Sequence, residues 1–242
     1  MKTEIKNSVK GFLSCLAVVF LCTFFLLPGT AAAHVEEWAE PGYNFKDVQK
    51  LLVYDLDMSA VDLESDIAEK NFQSAFWEQV GKQKIEVMNL KKVENRVSLM
   101  EYKDIDALRQ TDPAAAEEMW QNTMPKVVDA YAKTQYLRYE YTSRVIPAHT
   151  EWRTRWVKHT YYDRDGNKHE ESIPEEYPEY VQEKTIWTLH QRIRLDVYDA
   201  KTGKCIYSRN EARSDDYAGD GKDIFVKIVR NSFKDFLKKG KK

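Results

Sequence analysis

The chain has very little cysteine: three residues in 242, at Cys15, Cys22 and Cys205. The first two lie in an apolar N-terminal run, so a processed chain keeps only Cys205 and no intramolecular disulfide can staple it. Glycine and proline are sparse too, at nine and seven residues, which excludes collagen-like and Pro/Gly low-complexity classes. No excess of one charge exists either. The 37 Lys+Arg and 39 Asp+Glu leave a formal net charge of −2, without the basic surplus of a general nucleic-acid binder. A Gly-x-Ser-x-Gly elbow, a His-Glu-x-x-His helix, a phosphate loop and a dinucleotide fingerprint are all missing, so no catalytic residue and no cofactor is expected.

What is present is aromatic and export-like. Aromatic residues make up 12% and apolar residues 43% of the chain, enough for a packed core and against wholesale disorder. Lys2, Lys6 and Lys10 precede an uncharged run from Phe12 to Leu27, broken by Pro28 and Gly29 and followed by Ala31, Ala32 and Ala33. This is the pattern of a secretory signal over residues 1–33 with cleavage after Ala33. The run is about 16 residues long, short of the ~20 that a spanning helix needs, so no membrane span is expected after cleavage. Neither Cys15 nor Cys22 follows the small-residue pattern of a lipoprotein signal. Removal of three Lys and one Glu leaves 34 basic against 38 acidic residues.

Residues 34–49 read as a polar leader with Trp38 and Pro41, and residues 50–242 as a single domain. Lys50–Asp57 is a short buried strand. Val61–Val80 has helical spacing at Leu63, Ile67, Phe72, Phe76 and Val80, ended by Gly81. Lys84–Leu90 is a second strand, and Lys91–Gln110 a charged connector. Asp112 and Pro113 are an N-cap and a first helical residue, with Pro125 expected to kink or split the helix that runs on through Val127, Val128 and Tyr131. After Lys133 the period becomes two, with Leu137, Tyr139, Tyr141 and Val145 sharing one face. Glu151–Tyr162 and Lys184–Asp199 are further strands; in the second, Trp187, Leu189, Ile193, Leu195 and Val197 share a face. A turn over 200–203 leads to a return strand, Lys204–Arg213. A final helix starts near Lys222, is capped by Asp220, and carries Ile224, Phe225, Ile228, Val229, Phe233 and Phe236 on one stripe. The order β-α-β-α-β-(β)-β-β-α predicts an α/β (α+β) fold: a mixed sheet with helices packed on it and a projecting β-hairpin over 147–183.

Two segments carry a family resemblance: Tyr43-Asn44-Phe45-Lys46 before the first strand, and Leu195-Asp196-Val197-Tyr198-Asp199-Ala200-Lys201-Thr202-Gly203-Lys204-Cys205-Ile206-Tyr207-Ser208-Arg209. In topology and in this hairpin, with Asp199, Thr202 and Gly203 making its turn, the chain resembles an exported superfamily. Its members include the amino-terminal domain of TolB and the curli-secretion lipoproteins. The chain differs in having no lipobox cysteine and in the addition over 147–183. The resemblance implies an envelope accessory or scaffold domain and no catalytic residue.

Other candidate sites have plain explanations. Asp163-Arg164-Asp165-Gly166-Asn167 lacks the glycine and glutamate spacing of a calcium loop, since position twelve is Pro174, and reads as a hairpin turn. His149, His159, His169 and His190 lack metal-ligand spacing, although His159 and His169 could face each other across that hairpin; no metal is expected. Cys205 reads as a small buried residue, and Asp215-Asp216 as loop carboxylates before the last helix.

The unusual stretch is Glu151–Tyr162. Trp152, Thr154, Trp156 and Tyr162 share one strand face; Arg153, Arg155, Val157, His159 and Tyr161 share the other. The plain expectation is that the Trp face covers the core while the cations pair with the acidic segment 170–183, which loses strand character at Pro174 and Pro178. The leading functional expectation is a non-enzymatic envelope protein that binds another protein or its own copies through a sheet edge and this extension. The interaction residues are then Trp152, Arg153, Arg155, Trp156, Tyr161 and Tyr162. A glycan- or wall-polymer-binding module using Trp152, Trp156, Tyr161 and Tyr162 is the alternative. Exposed indoles favour the sugar, and buried ones leave the strand edges.

Overall fold

The structure, a computed structural model, describes residues 33–63, 65–216 and 219–240; the expected signal run lies outside the described residues. The N-terminal half forms β1 (His34–Ala39), a 3₁₀ turn (Phe45–Asp47), β2 (Lys50–Val53), α1 (Asp66–Gly81), β3 (Glu86–Asn89), α2 (Leu90–Glu101), α3 (Ile105–Thr111) and α4 (Pro113–Val127). The C-terminal half forms β4 (Ala130–Ile146), β5 (His149–Tyr162), β6 (Lys168–Val181), β7 (Lys184–Asp199), β8 (Cys205–Asp216) and α5 (Lys222–Lys239). Six strands make a mixed sheet in the order β1-β8-β7-β4-β2-β3, and β5 and β6 pair only with each other. Among the described residues the fold is therefore α/β, with a mixed sheet and five α-helices packed on it.

Four residues, Lys50-Leu51-Leu52-Val53, set the centre. β2 pairs in parallel with β3 on one edge and β4 on the other, and a core covers each of its faces, so an apolar run replaces alternation. Leu51 and Val53 enter the larger core under α1 and α5, and Leu52 enters the smaller one with Val93, Val97, Ile105, Met124 and Val127 from α2, α3 and α4. Leu195 and Val197 of β7 and Ile228 and Phe233 of α5 are buried in the larger core, the two strongest amphipathic patterns hiding their apolar faces against each other.

Local chemistry places the helix starts. Ser65, Asn89, Asp104 and Asp112 each accept a backbone N–H bond at the head of α1, α2, α3 and α4, and Pro113 occupies the first turn of α4.

Five sequence expectations need correction. The leader contains an edge strand: His34–Ala39 pairs antiparallel with β8, held by the Glu37–Arg209 ion pair at 2.8 Å and the Asn210–Glu36 hydrogen bond at 2.8 Å. It has no apolar alternation, since Val35 and Trp38 fall on opposite faces and both are exposed, so periodicity does not mark it. The connector 91–110 is two helices; Val93 and Val97 are its buried i, i+4 pair, and Glu94 is buried against Arg109. Pro125 neither splits α4 nor precedes a second segment: it falls in the last turn, so any bend redirects only the two helical residues after it, and the chain enters β4 at Ala130. In β4 a register shift between Tyr136 and Arg138 resets the pleat. Tyr136, not Leu137, is the fully buried residue of that strand's middle. Finally, β6 runs unbroken through Pro174 and Pro178.

A projecting aromatic arm as candidate interaction surface

β4 and β7 pair along their full length, from Ala130 opposite Asp199 to Ile146 opposite Lys184, and the pairing resumes in β5 and β6 from His149 opposite Val181 to Tyr162 opposite Lys168. β8 accompanies β7 only as far as Thr188, opposite Asp216. Beyond that point the ribbon is two-stranded. Its β5–β6 portion of 14 paired residues spans about 45 Å at ~3.4 Å per residue. Every residue of β5 is exposed.

The loop at the tip explains the Asp163–Asn167 motif without an ion. Asp163 accepts the backbone N–H groups of Asp165 (3.0 Å) and Asn167 (2.8 Å), the Asn167 amide at 3.1 Å and the His169 ring at 2.9 Å. These bonds, the His169 contact first, hold its pKa at about 2. Gly166 takes the left-handed conformation at φ +83° that the turn requires. His169 stands opposite Tyr161, with the rings stacked at 5.2 Å, while His159 stands opposite Glu171. The two histidines therefore do not face each other. Among the described residues no group of three or more His, Cys, Asp or Glu is placed to hold a metal ion.

The two faces of the arm differ in chemistry. On one, Arg153 pairs with Glu179 and, at 3.6 Å, with Glu151; Arg155 pairs with Glu175 at 2.9 Å and lies 5.3 Å over the Tyr177 ring. The cations are answered within the arm, as the charge pattern predicts. On the other face stand Trp152, Trp156 and Tyr162 of β5 and Tyr180 of β6, with relative exposures of 70%, 72%, 68% and 69%. The Trp face does not cover the core. Tyr161, on the charged face, is 47% exposed. Trp187, expected in the core pattern of β7, is 54% exposed because it lies past the end of β8.

The prolines make the arm's two edges unequal. Register puts Pro178 opposite Trp152 and Pro174 opposite Trp156. Proline has no N–H, so these are non-hydrogen-bonded pairs of the ladder, whose backbone groups point outward from the ribbon. Thr150, Trp152, Thr154, Trp156 and Lys158 share that phase, so β5 presents a continuous row of outward donors and acceptors. The edge of β6 lacks a donor at both prolines. Their spacing could have signalled this, since two prolines four residues apart have the same ladder phase.

The remaining predicted residues lie at the far end of the sheet. Asp199 accepts the backbone N–H and the hydroxyl of Thr202, both at 2.8 Å, and Gly203 closes the turn at φ +67°. Tyr43 donates to Asp199 at 3.0 Å, which brings together the two segments that carried the family resemblance. Burial and this carboxylate raise the Tyr43 pKa; at Asp199 the opposing burial penalty is outweighed by the Thr202 bonds, and the pKa falls. Burial first, then Asp196, pushes the Cys205 thiol up.

Two clusters had no sequence signal. Arg209, buried, bonds Glu211 at 2.7 Å, Glu37 at 2.8 Å and Asp235 at 2.9 Å, tying β8 to β1 and α5. His190 joins Ser214 at 2.6 Å and Thr142 at 2.8 Å, so both ring nitrogens are spent on hydroxyls.

No family model matches the chain, and no curated protein does. Several solved structures resemble it distantly. The PelC dodecamer from Paraburkholderia phytofirmans is 10% identical over 85% of this chain and 98% of that one, with a TM-score of 0.43. Lipoprotein GNA1162 from Neisseria meningitidis is 12% identical over 77% and 98%, with a TM-score of 0.32. A PDZ domain protein from Parabacteroides distasonis is 12% identical over 87% and 37%, with a TM-score of 0.31. Likenesses this distant carry no function across.

Proposed function

We propose that the chain is an exported, non-enzymatic cell-envelope protein that binds a protein partner, another envelope protein or a second copy of itself, by strand addition along the outer edge of β5. The observation that carries this reading is the inequality of the arm's edges: β5 keeps every outward backbone group, whereas β6 is interrupted at Pro174 and Pro178. Strand addition draws affinity from main-chain hydrogen bonds and specificity from alternate side chains. Here those flanking side chains are Trp152 and Trp156 on one face and Arg153 and Arg155 on the other. Export rests on the charged start, short apolar run and alanine-rich exit of residues 1–33. Among the described residues, no helix is long and apolar enough to cross a membrane.

The test is Thr154→Pro. Position 154 has the same ladder phase as the two prolines of β6, so the substitution leaves the arm's own bonds intact and removes one outward donor. Capture of crosslinked partners by T154P, and its sedimentation as a pure protein, should show the loss of a contact that the parent protein makes. Unchanged capture and unchanged assembly overturn the reading.

One observation favours a second reading. Trp152 and Trp156 stand in an exposed row, four residues apart and therefore about 13 Å along the strand, a platform for sugar rings. A glycan site predicts that Trp152→Ala with Trp156→Ala abolishes retention on immobilised envelope polysaccharide while T154P leaves it unchanged. Loss of partner binding in T154P with no polysaccharide retention by the parent excludes that reading.

A further inference from the structure

A cavity of about 420 Å³ opens between the 3₁₀ turn at Phe45–Asp47, the loop that follows α1 and the last turn of α5. Its size falls within the range of small-molecule sites. Phe45, Val48, Ile85, Phe236 and Leu237 supply an apolar lining. Around them stand Lys46, Lys82, Lys84, Lys234 and Lys238, and the lining contains no Asp or Glu. In a chain with more acidic than basic residues overall, this is a local reversal of charge.

Part of that charge has an internal use. Lys82 pairs with Glu78 and Lys238 with Asp235, each at 2.6 Å, near the C-terminal ends of α1 and α5, where cations also complement the helix dipole. Among the described residues Lys46, Lys84 and Lys234 form no direct ion pair, although the Lys234 charge acts on the neighbouring Asp235. Lys46 and Lys84 lie outside both helices, so dipole complementation does not account for them. Gly240 leaves the α5 terminus close to the turn: a Cβ there would come within 2.9 Å of the Phe45 carbonyl. A larger residue at 240 would push the two walls of the cavity apart.

We infer that this cavity binds an anionic amphiphile, an alkyl or acyl chain ending in a phosphate or carboxylate, taken up as a single molecule. The chain would lie against Phe45, Ile85 and Phe236, and the head would be held by Lys46, Lys84 and Lys234. Lysine suits such a head as a mobile point charge with three donors, and its stem adds apolar cover.

Calorimetric titration of the full chain with octyl phosphate, kept below its micelle concentration, should show one saturable site. Hexyl phosphate should bind about tenfold more weakly, from two fewer buried methylenes. Inorganic phosphate and octyltrimethylammonium should not compete. The double variant Lys84→Glu with Lys234→Glu should lose at least tenfold in affinity at an unchanged melting temperature, since both side chains are exposed. The inference is overturned if octyl phosphate fails to bind, if the ammonium analogue binds equally, if chain length has no effect, or if the charge reversals leave affinity intact. Binding to phosphatidylglycerol vesicles without binding to octyl phosphate also overturns it, because a membrane surface would then be the target. None of these outcomes depends on the arm.

Discussion

Gly221 precedes α5 as its N-cap at φ +71°, and a Cβ there would lie 2.3 Å from both Gln191 Nε2 and Leu189 Cδ2. Gln191 is buried and donates to the Gly221 carbonyl at 2.7 Å, so neither neighbour can retreat without giving up a bond or core packing. Gly221→Ala should cost about 2–4 kcal/mol from left-handed strain and overpacking, a fall of roughly 5–15 °C in melting temperature, read by differential scanning calorimetry. Arg209 is the second decisive residue. Removing it leaves the fully buried Glu211 with Arg213 as its remaining cation and opens the bonds on its other carboxylate oxygen, so Arg209→Ala should destabilise by about 1–3 kcal/mol. Burial alone would raise the pKa of Glu37 and Asp235, but the Lys239 contact at Glu37, the Lys238 contact at Asp235 and the Arg209 charge lower both. Their stabilising contribution is therefore full above the ordinary carboxylate range and declines as the pH falls through and below it. Urea midpoints should drop between pH 5 and pH 3, about the carboxylate range, in the parent protein, and less steeply in the Arg209 variant. Equal slopes would show that the network does not govern acid stability.

At the scale of elements, the arm stands apart from the sheet it grows from. Its residues on β5 are all exposed, and among the described residues β5 and β6 pair only with each other. Deleting residues 148–183 and closing β4 to β7 with a short Gly-Ser turn should therefore shift the melting temperature only slightly while removing partner binding. A deletion that unfolds the protein would show that the arm supports the core; a stable deletion that keeps every captured partner would place binding elsewhere. The same element shows why its second strand does not look like one in the sequence. Pro174 and Pro178 break a strand whose N–H groups must bond on that side, but at the outward phase of a two-stranded ribbon they cost no ladder bond. The connector 91–110 departs from its sequence expectation for a related reason. Its apolar positions, Val93 and Val97, are few, and a helix that needs only a narrow stripe to cover one side of β2 looks from sequence like a charged loop.

At the scale of the whole molecule, α5 is the larger core's cover. Ile224, Phe225, Ile228, Val229, Phe233 and Phe236 all enter it, against β7, β8 and α1. A chain ending at Gly221 should lose cooperative unfolding by circular dichroism, because the apolar face of β7 would be left in water. A cooperatively melting fragment would refute that assignment of the core.

The amino-acid sequence by itself determined the elements whose periodicity is strong. The β7 pleat, the α5 stripe, the capped start of α4 and the Asp199–Gly203 turn are all local patterns, and local patterns need no partner to be read. It also separated the arm's Trp face from its Arg face, since alternation follows from strand geometry alone. The tertiary structure decided which way those faces look. Whether Trp152 and Trp156 cover a core or meet solvent depends on where β8 stops and on how far β4 and β7 run past it. Both are properties of pairing between strands distant in sequence. The leader's role as an edge strand, the Arg209 network and the lysine-rimmed cavity were likewise hidden. Each joins residues far apart in the chain, such as Glu37 with Arg209 and Phe45 with Phe236, and only folding brings them within reach of each other.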